Sequence, residues 1–395
     1  MLRTQDGKEY IDGLSVSALW NVNIGHGRKE LARAAAAQME KLAYASAYAG
    51  FSNEPAIRLA ERIVGLAYSN MAGAYFTTGG AESNESAFKF ARYYWKRMGK
   101  PDKVKIISRS YGYHGVTMAA MSATSLPGYQ KMFGPMVPNF HQVVPPYPYR
   151  WPGNGDAGIG AADAVEESIL AHGADTVAAI ICEPVMGAGG VIVPPPTYFP
   201  GLREICDRHG VLLIADEVIT GFGRTGKWFA LTHWGVEPDL MSFAKGVTSG
   251  YLPLGGVLVS KRIHAAIEDA PMDEKFMHAA TYSGHPQTRP RDGRAGGGGG
   301  REAGPDHAPA RRGRRAAAEP GYAVPGPAAD DAGGHSGPDR ANRWRIRRRG
   351  GLNPRQDAQS DSSWGSANGR TPRDVSPRTR RCLSLGTAFL VSTPP

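Results

Sequence analysis

Residues 212–226 have the sequence LLIADEVITGFGRTG, and residues 240–246 have the sequence LMSFAKG. Each stretch begins as a short apolar run, typical of a strand buried on both faces, and continues as a glycine-containing loop. The first run leads to Asp216 and Glu217, and the second leads to Lys245. Parallel sheets flanked by helices bind ligands at the carboxyl ends of their strands. We therefore predict an α/β fold with its site at those ends.

The same alternation of helix and strand continues along the chain up to about residue 286. Amphipathic or alanine-rich stretches predict helices at 29–43, 55–67, 82–98, 161–172 and 198–209. Short apolar runs predict strands at 74–77, 104–107, 177–182, 211–215, 240–244 and 255–259. This order favours a mostly parallel central sheet flanked by helices.

The net charge of +10 comes entirely from the end of the chain. Residues 1–286 contain 26 basic and 26 acidic side chains, whereas residues 287–395 contain 20 arginines, 10 acidic side chains and no lysine. Five consecutive glycines occupy 296–300, and only nine of the residues after 286 are Val, Ile, Leu or Phe. Such a segment cannot bury enough apolar surface to offset the entropy of ordering, so we predict that it is disordered.

The composition disfavours several classes of protein. No apolar run is long enough for a membrane span, and the start, MLRTQDGKEYIDG, lacks the apolar centre of a secretory signal. Cys182, Cys206 and Cys382 have no zinc or redox spacing, so we interpret them as packing thiols. A cytoplasmic setting is the simplest interpretation.

The segment TTGGAESNES, residues 77–86, has two interpretations. A predicted strand ends there, Gly79 and Gly80 let the backbone turn, and a helix begins. The free amides and the dipole at a helix N-terminus favour an anion such as phosphate. An ordinary glycine-rich turn is the alternative.

The charged strand-end residues are equally ambiguous when each is taken alone. Asp216 could neutralise a cationic heterocycle, or together with Glu217 it could cap the following segment. Lys245 in a poorly solvated place would have a lowered pKa that suits Schiff-base chemistry, or it could extend into solvent.

The segments SYGYHG (110–115) and EPVMGAGG (183–190) complete the set. Tyr113 could stack on a flat ring, or it could be a core aromatic beside a satisfied His114. Glu183 could support the site from behind or belong to a strand-end turn. Together, an anion-type turn, a stacking aromatic, a strand-end acid and a strand-end lysine suit a phosphorylated pyridine aldehyde.

These motifs resemble the class III aminotransferases, which are fold-type-I pyridoxal-phosphate enzymes. The resemblance covers about residues 5–286 and rests on GGAESNE, YHG, EPVMGAGG, DEVITGFGRTG, FAKG and TYSGHP in this order. Within the family, the chain most resembles the ω-amino-acid:pyruvate and amine:pyruvate branch.

The resemblance implies a role for each matching residue. Lys245 would form the aldimine with pyridoxal 5'-phosphate, and Asp216 would pair with the pyridine nitrogen. Val218 and Tyr113 would enclose the ring. The other implied cofactor-binding residues are Gly80 and Ala81 at the phosphate, His114, Glu183, and Thr281, which would reach the phosphate of the partner subunit. Trp20 and Tyr113 would line the substrate pocket.

The chain departs from the family in three places. Ala81 stands where a serine is usual, so one hydroxyl contact to phosphate is lost. Ala188 stands where many relatives have a glutamate that pairs with a mobile arginine, and alanine there is typical of the amine:pyruvate branch. After Pro286 the family continues with a helix and a C-terminal domain that carries the arginine for the substrate carboxylate, and we find neither in this sequence.

The implied activity is transfer of an amino group from an amine or ω-amino acid to a keto acid, with pyruvate expected. The implied organisation is a homodimer, with residues 1–39 in a small domain and 40–286 in a large cofactor-binding domain. An aminomutase or decarboxylase on the same scaffold is the alternative, because Lys245 and Asp216 serve all of these. Nucleic-acid binding through the arginine-rich tail is disfavoured, because few aromatics are interleaved there. The missing arginine leaves open whether this chain is active as written.

We predict that residues 287–395 are an out-of-frame translation. Lysine disappears while Arg, Gly, Ala and Pro dominate, as GC-rich codons give in the wrong register. The check is to translate the other two frames downstream of the codon for Pro286. If neither frame gives an amphipathic helix followed by an α/β pattern with an arginine of the family type, the segment is a genuine extension.

Overall fold

An eight-stranded sheet organises the computed structural model, which describes residues 1–14, 19–48 and 50–286 and the backbone of 389–391. Its strands are β3 (Met71–Thr77), β4 (Lys105–Arg109), β5 (Phe140–Val143), β6 (Val177–Cys182), β7 (Leu212–Asp216), β8 (Leu240–Phe243), β9 (Gly255–Ser260) and β10 (Phe389–Val391). A separate two-stranded sheet pairs β1 (Leu2–Arg3) with β2 (Glu9–Tyr10). The rest of the predicted disordered tail lies outside the described residues.

The order of the strands is β10-β3-β9-β8-β7-β6-β4-β5. Neighbours from β8 to β5 pair in parallel, whereas β9 is antiparallel to both β8 and β3. Strand β10 is antiparallel to β3. The predicted mostly parallel α/β fold is therefore confirmed, with β9 and β10 running against the other strands.

Eight described α-helices surround the sheet. They are α1 (Lys29–Lys41), α2 (Glu54–Leu66), α3 (Gly80–Arg97), α4 (Met118–Ala123), α5 (Pro127–Gln130), α6 (Ala157–His172), α7 (Tyr198–His209) and α8 (Lys261–Glu268). Their ends have recognisable local causes. Asn53 caps α2 by accepting from the Ala56 amide, Asp156 caps α6 by accepting from two amides, and Gly210 ends α7 in the left-handed region.

Most predicted elements are present, and the differences have physical reasons. Helix α6 begins at Ala157 rather than at the predicted 161, because Asp156 supplies a cap that apolar periodicity does not reveal. Strand β5 was not predicted, since only Val143 among its residues is buried. The proposed boundaries at residues 39 and 286 remain predictions.

Both faces of the sheet are covered by helices, as its largely apolar strands require. In β7, Leu213 and Ala215 belong to a core cluster with α2, α6 and α7. Leu212 and Ile214 point the other way, into a cluster with α3 and α8. Because the side chains alternate between two buried faces, the strand ends are the places where polar groups can gather.

A buried lysine lies near the amino ends of β4, β6 and β7, away from the carboxyl ends of the strands. Lys103 is 1% exposed, and its ammonium donates to the carbonyls of Ala174 at 2.7 Å, Val177 at 3.0 Å and Gly210 at 2.9 Å. It also lies 4.5 Å from the centre of the Trp95 ring. Burial lowers the pKa of Lys103 to about 8, with a smaller contribution from nearby Lys100 and against the opposite effect of Asp175.

We predict that Lys103→Met destabilises the protein by about 3 kcal/mol, because three carbonyls around the buried Lys103 ammonium lose this donor. Thermal and urea unfolding of the full chain would measure the loss. Lys100→Met is the matched control, since Lys100 forms only an exposed ion pair with Asp175 and should contribute little. Equal stability of the two variants would contradict the prediction.

Candidate active site

The carboxyl ends of β3, β4, β6, β7 and β8 surround a cavity of about 160 Å³. Its walls come from residues that end these strands or follow them within seven positions. They are Gly80, Ala81, Asn84, Tyr113, His114, Gly115, Val116, Glu183, Asp216, Val218, Ile219 and Lys245.

Asp216 ends β7 and is 3% exposed. Its Oδ2 accepts from Asn84 Nδ2 at 2.9 Å and lies 2.8 Å from His114 Nδ1. Its Oδ1 accepts from the Val218 amide at 3.1 Å. Because a carboxylate only accepts, Nδ1 of His114 carries a proton and donates to it. The arrangement holds an anion in a nearly dry place.

Lys245 follows β8 after one residue and begins a short 3₁₀ turn, Lys245–Val247. Its φ of 44° lies in the left-handed region, which is uncommon for a long side chain and occurs often at functional sites. Burial lowers the pKa of Lys245, against a smaller opposite effect of the Asp216 and Glu183 carboxylates. A larger fraction of its amine is therefore neutral near pH 8 than for an exposed lysine.

The N-terminus of α3 forms another wall. Gly79 is the N-cap, and Glu82 accepts from the Thr78 amide at 2.9 Å, so the entry to the helix is fixed. The amides of the first turn have no carbonyl partner within the helix and can bind an anion. A Cβ at Gly80 would lie 3.0 Å from Val218 Cγ1, so glycine keeps this side of the cavity open.

Glu183 fixes the wall that carries Tyr113. Its carboxylate accepts from the Tyr113 amide at 3.1 Å and from the Gly187 amide at 2.8 Å. Burial raises the pKa of Glu183, mainly against the effects of nearby His114 and of these two donated bonds. The Tyr113 ring packs edge-on against Tyr129 at 5.3 Å between centroids, which fixes its orientation at the cavity.

The structure brings most of the predicted site residues together. Gly80, Ala81, Tyr113, His114, Glu183, Asp216, Val218 and Lys245 all line the cavity. Trp20 and Thr281 do not line it within one chain. The Trp20 carbonyl accepts from Arg224 Nη2 at 3.2 Å, and the Thr281 carbonyl accepts from Tyr44 at 2.9 Å. Their roles remain predictions.

Four residues that line the cavity were not predicted as site residues, namely Asn84, Gly115, Val116 and Ile219, and Asn84 is the one that bonds Asp216. It lies one helical turn after Gly80, on the same face of α3, and it donates directly to Asp216. Helical spacing from Gly80 was the available signal, since residues four apart share a face.

The residues present fit a flat, phosphorylated, cationic ring. The cavity offers free helix amides at one wall, a buried carboxylate at its base and an amine of lowered pKa. Val218 and Tyr113 are side chains suited to cover a ring.

Among the described residues, no group of three or more His, Cys, Asp or Glu is arranged to hold a metal ion. In the same part of the chain, no helix is long and apolar enough to cross a membrane.

Known proteins similar to this chain are aminotransferases. A family profile described as "Aminotransferase class-III" matches residues 1–289. A probable aminotransferase of Mycobacterium tuberculosis is 46% identical over 283 residues, which cover 71% of this chain and 60% of that protein. The putrescine–pyruvate aminotransferase of Pseudomonas aeruginosa is 41% identical over 287 residues, covering 71% and 61% respectively.

A solved structure gives the same answer for the fold. An amine transaminase from an uncultivated Pseudomonas species, in its PLP-bound form, is 44% identical with a TM-score of 0.69, covering 72% of this chain and 65% of that one. The chain spans about three fifths of the length of the curated relatives named above. The resemblance drawn from the motifs is thereby confirmed, and the chain belongs to the class III aminotransferases, a pyridoxal-phosphate-dependent family of fold type I.

Proposed function

We propose that this chain binds pyridoxal 5'-phosphate in the cavity and moves an amino group from an amine or ω-amino acid to a keto acid, with pyruvate as the acceptor. The observation that carries the proposal is the meeting of three groups at one cavity. Lys245, Asp216 and the N-terminus of α3 supply an amine, a buried anion and an anion site.

When bound, the cofactor supplies an electrophilic aldehyde carbon and a ring that acts as an electron sink. Lys245 supplies the nucleophile, because burial keeps part of its amine neutral. The same Nζ would then take a proton from the donor carbon and deliver it to the carbon at which the cofactor carried its aldehyde, as a general base and then a general acid. Asp216 holds a proton on the ring nitrogen. The amides of Gly80 and Ala81 bind the phosphate.

The remaining residues enclose the cofactor ring or orient the side chains that contact it. Val218 and Tyr113 cover the two faces of the ring and exclude water. Glu183 acts through the Tyr113 amide, which it holds at 3.1 Å. His114 acts through Asp216. Because Ala81 has no hydroxyl to donate to the phosphate, the amides at the N-terminus of α3 are the main phosphate ligands at this wall.

Ala188 supports simple amines and ω-amino acids as donors. It is exposed in a glycine-rich turn next to Gly187, whose amide Glu183 holds. A methyl group there offers no carboxylate to pair with an arginine, so nothing at this position selects an ornithine-type donor. The similar protein from Pseudomonas aeruginosa bears the name of a putrescine–pyruvate enzyme.

A homodimer in the cytoplasm completes the proposal. Tyr44 and Tyr282, which adjoin Thr281, are 46% and 56% exposed, and Tyr48 and Phe51 are also exposed, so this part of the chain offers apolar surface. Burial of that surface against a second copy would bring Thr281 towards the partner's phosphate. Trp20 would line the substrate pocket near the same interface.

The test of the function is alanine formation from pyruvate by the full chain supplied with pyridoxal phosphate. We expect a monoamine or β-alanine to give alanine faster than ornithine does. Faster turnover of ornithine would contradict the donor class. Absence of alanine with every donor, despite bound cofactor, would contradict the proposed activity.

Lys245 is predicted to be the covalent attachment residue. Its pKa is lowered, so its amine stays neutral to lower pH than that of a surface lysine, and labelling should persist as the pH falls. Borohydride reduction of the protein with pyridoxal phosphate, followed by peptide mapping, should find the label on Lys245. Lys245→Ala should reduce labelling to background, and Lys227→Ala, at an exposed lysine, should leave it unchanged. Persistent labelling in Lys245→Ala would refute the assignment.

Asp216→Asn is predicted to lower turnover by several orders of magnitude, about 4 kcal/mol or more in barrier. The variant loses the charge, and its new NH₂ meets groups that are themselves donors at both oxygens. The control is Glu217→Gln, since Glu217 faces Tyr68 at 2.6 Å and does not line the cavity. We expect Glu217→Gln to lower the free energy of unfolding while changing turnover only slightly. Near-normal turnover of Asp216→Asn would show that the ring proton is held in another way.

A further inference from the structure

A side-chain amide fixes how Asp216 presents its oxygens. Asn84 is buried on α3, and its Nδ2 lies 2.9 Å from Asp216 Oδ2 and 2.7 Å from the His114 carbonyl oxygen. Both partners are acceptors, so the nitrogen of the amide has to face them. Asn84 is therefore a donor to Asp216 in this fold.

The two oxygens of Asp216 differ in their remaining capacity. Each carboxylate oxygen has about two lone-pair directions. Oδ2 receives Asn84 and His114, which fill both. Oδ1 receives the Val218 amide, and within the described residues no second donor to it is recorded. The free acceptor position of the carboxylate therefore belongs to Oδ1.

These hydrogen bonds, rather than the rotamer, set the plane of the carboxylate. The terminal torsion of an aspartate is broad and soft, so an unrestrained carboxylate samples many orientations. The restraint comes from three different elements: α3 through Asn84, the segment after β4 through His114, and the segment after β7 through Val218.

We propose that Asn84 is a positioning residue that, together with His114, occupies Oδ2 of Asp216 and so reserves Oδ1 for the ring N–H of the bound cofactor. The inference rests on the proposed function, because it requires pyridoxal phosphate in the cavity. Loss of the Asn84 donor frees a lone pair on Oδ2 and lets the carboxylate turn.

A purely structural role is the competing interpretation, since Asn84 also holds the His114 carbonyl. The two are separated by a ligand that lacks the ring nitrogen. The probes are pyridoxal phosphate and its carbocyclic analogue, in which a ring CH replaces the nitrogen. A positioning effect through Asp216 acts only on the first ligand, whereas a loosened cavity wall weakens both.

The experiment is equilibrium dialysis of the full chain with each probe. We expect the wild type to prefer pyridoxal phosphate, and Asn84→Leu to reduce that preference about tenfold, or about 1.4 kcal/mol, while affinity for the analogue is kept. Equal weakening of both ligands, or an unchanged preference, overturns the inference while leaving the proposed function standing. A wild type that binds neither ligand overturns both.

Asn84→Asp is a second variant that keeps the shape of the side chain. Its new carboxyl group can donate to Asp216 only when protonated, so we expect the preference to fall at high pH and to recover as the pH falls. Tyr113, His114, Glu183, Asp216 and Lys245 are the titratable groups that line the cavity, and comparison with the wild type at each pH removes their contribution. A preference equal to that of the wild type at every pH overturns the inference.

The matched control is Asn70→Leu. Asn70 also donates one hydrogen bond from Nδ2 to a carbonyl, that of Pro238 at 2.9 Å, but it does not line the cavity. It should lower stability and leave the preference unchanged. If Asn70→Leu reduces the preference as much as Asn84→Leu does, the effect is one of general stability and the inference is wrong.

Discussion

The carboxylate of Asp216 has to exist as an anion where almost no water reaches it. A buried charge is costly unless hydrogen bonds replace its hydration, and here donors from three separate elements do so. This requirement links parts of the chain that are far apart in sequence. Helix α3, the segment after β4 and the segment after β7 must all be correctly placed for the carboxylate of Asp216 to receive its hydrogen bonds. The order of the strands in the sheet is what brings them together.

The sheet separates two kinds of polar contact. At the carboxyl ends of the strands, Asp216, Glu183 and Lys245 face a cavity and have capacity left for a ligand. At the amino ends, the ammonium of Lys103 donates all three of its hydrogen bonds to carbonyls, so no donor remains for a ligand. Between these two ends the strands are mostly apolar on both faces, although Ser108 and Arg109 in β4 and Ser242 in β8 are also buried there. Stability and ligand binding are thus handled at opposite ends of the strands.

The sequence was informative wherever a short apolar run ended in a polar residue. Asp216, Lys245 and Glu183 follow such runs, and their shared cavity could be predicted because parallel strand ends converge. Asn84 does not follow an apolar run, so this rule did not find it. Its spacing from Gly80 on α3 indicated the shared face, but the contact with Asp216, 132 residues away, cannot be predicted from local spacing. Strand β5 was missed because burial of a single residue gives no pattern. Trp20 and Thr281 stay predictions, because their proposed roles need a second chain.

Lys103 and Lys245 show that a lowered pKa alone does not make an amine reactive. Burial lowers the pKa of both. An electrophile that seeks a neutral amine would nevertheless find only one of them, because Lys103 is enclosed and held by three carbonyls, whereas Lys245 borders open space. A slow, aldehyde-based reagent could therefore attach a reporter group to a single interior position of this chain without any engineered cysteine. The selectivity would come from the open space beside Lys245 and from the three carbonyls that hold Lys103, since burial lowers the pKa of both amines.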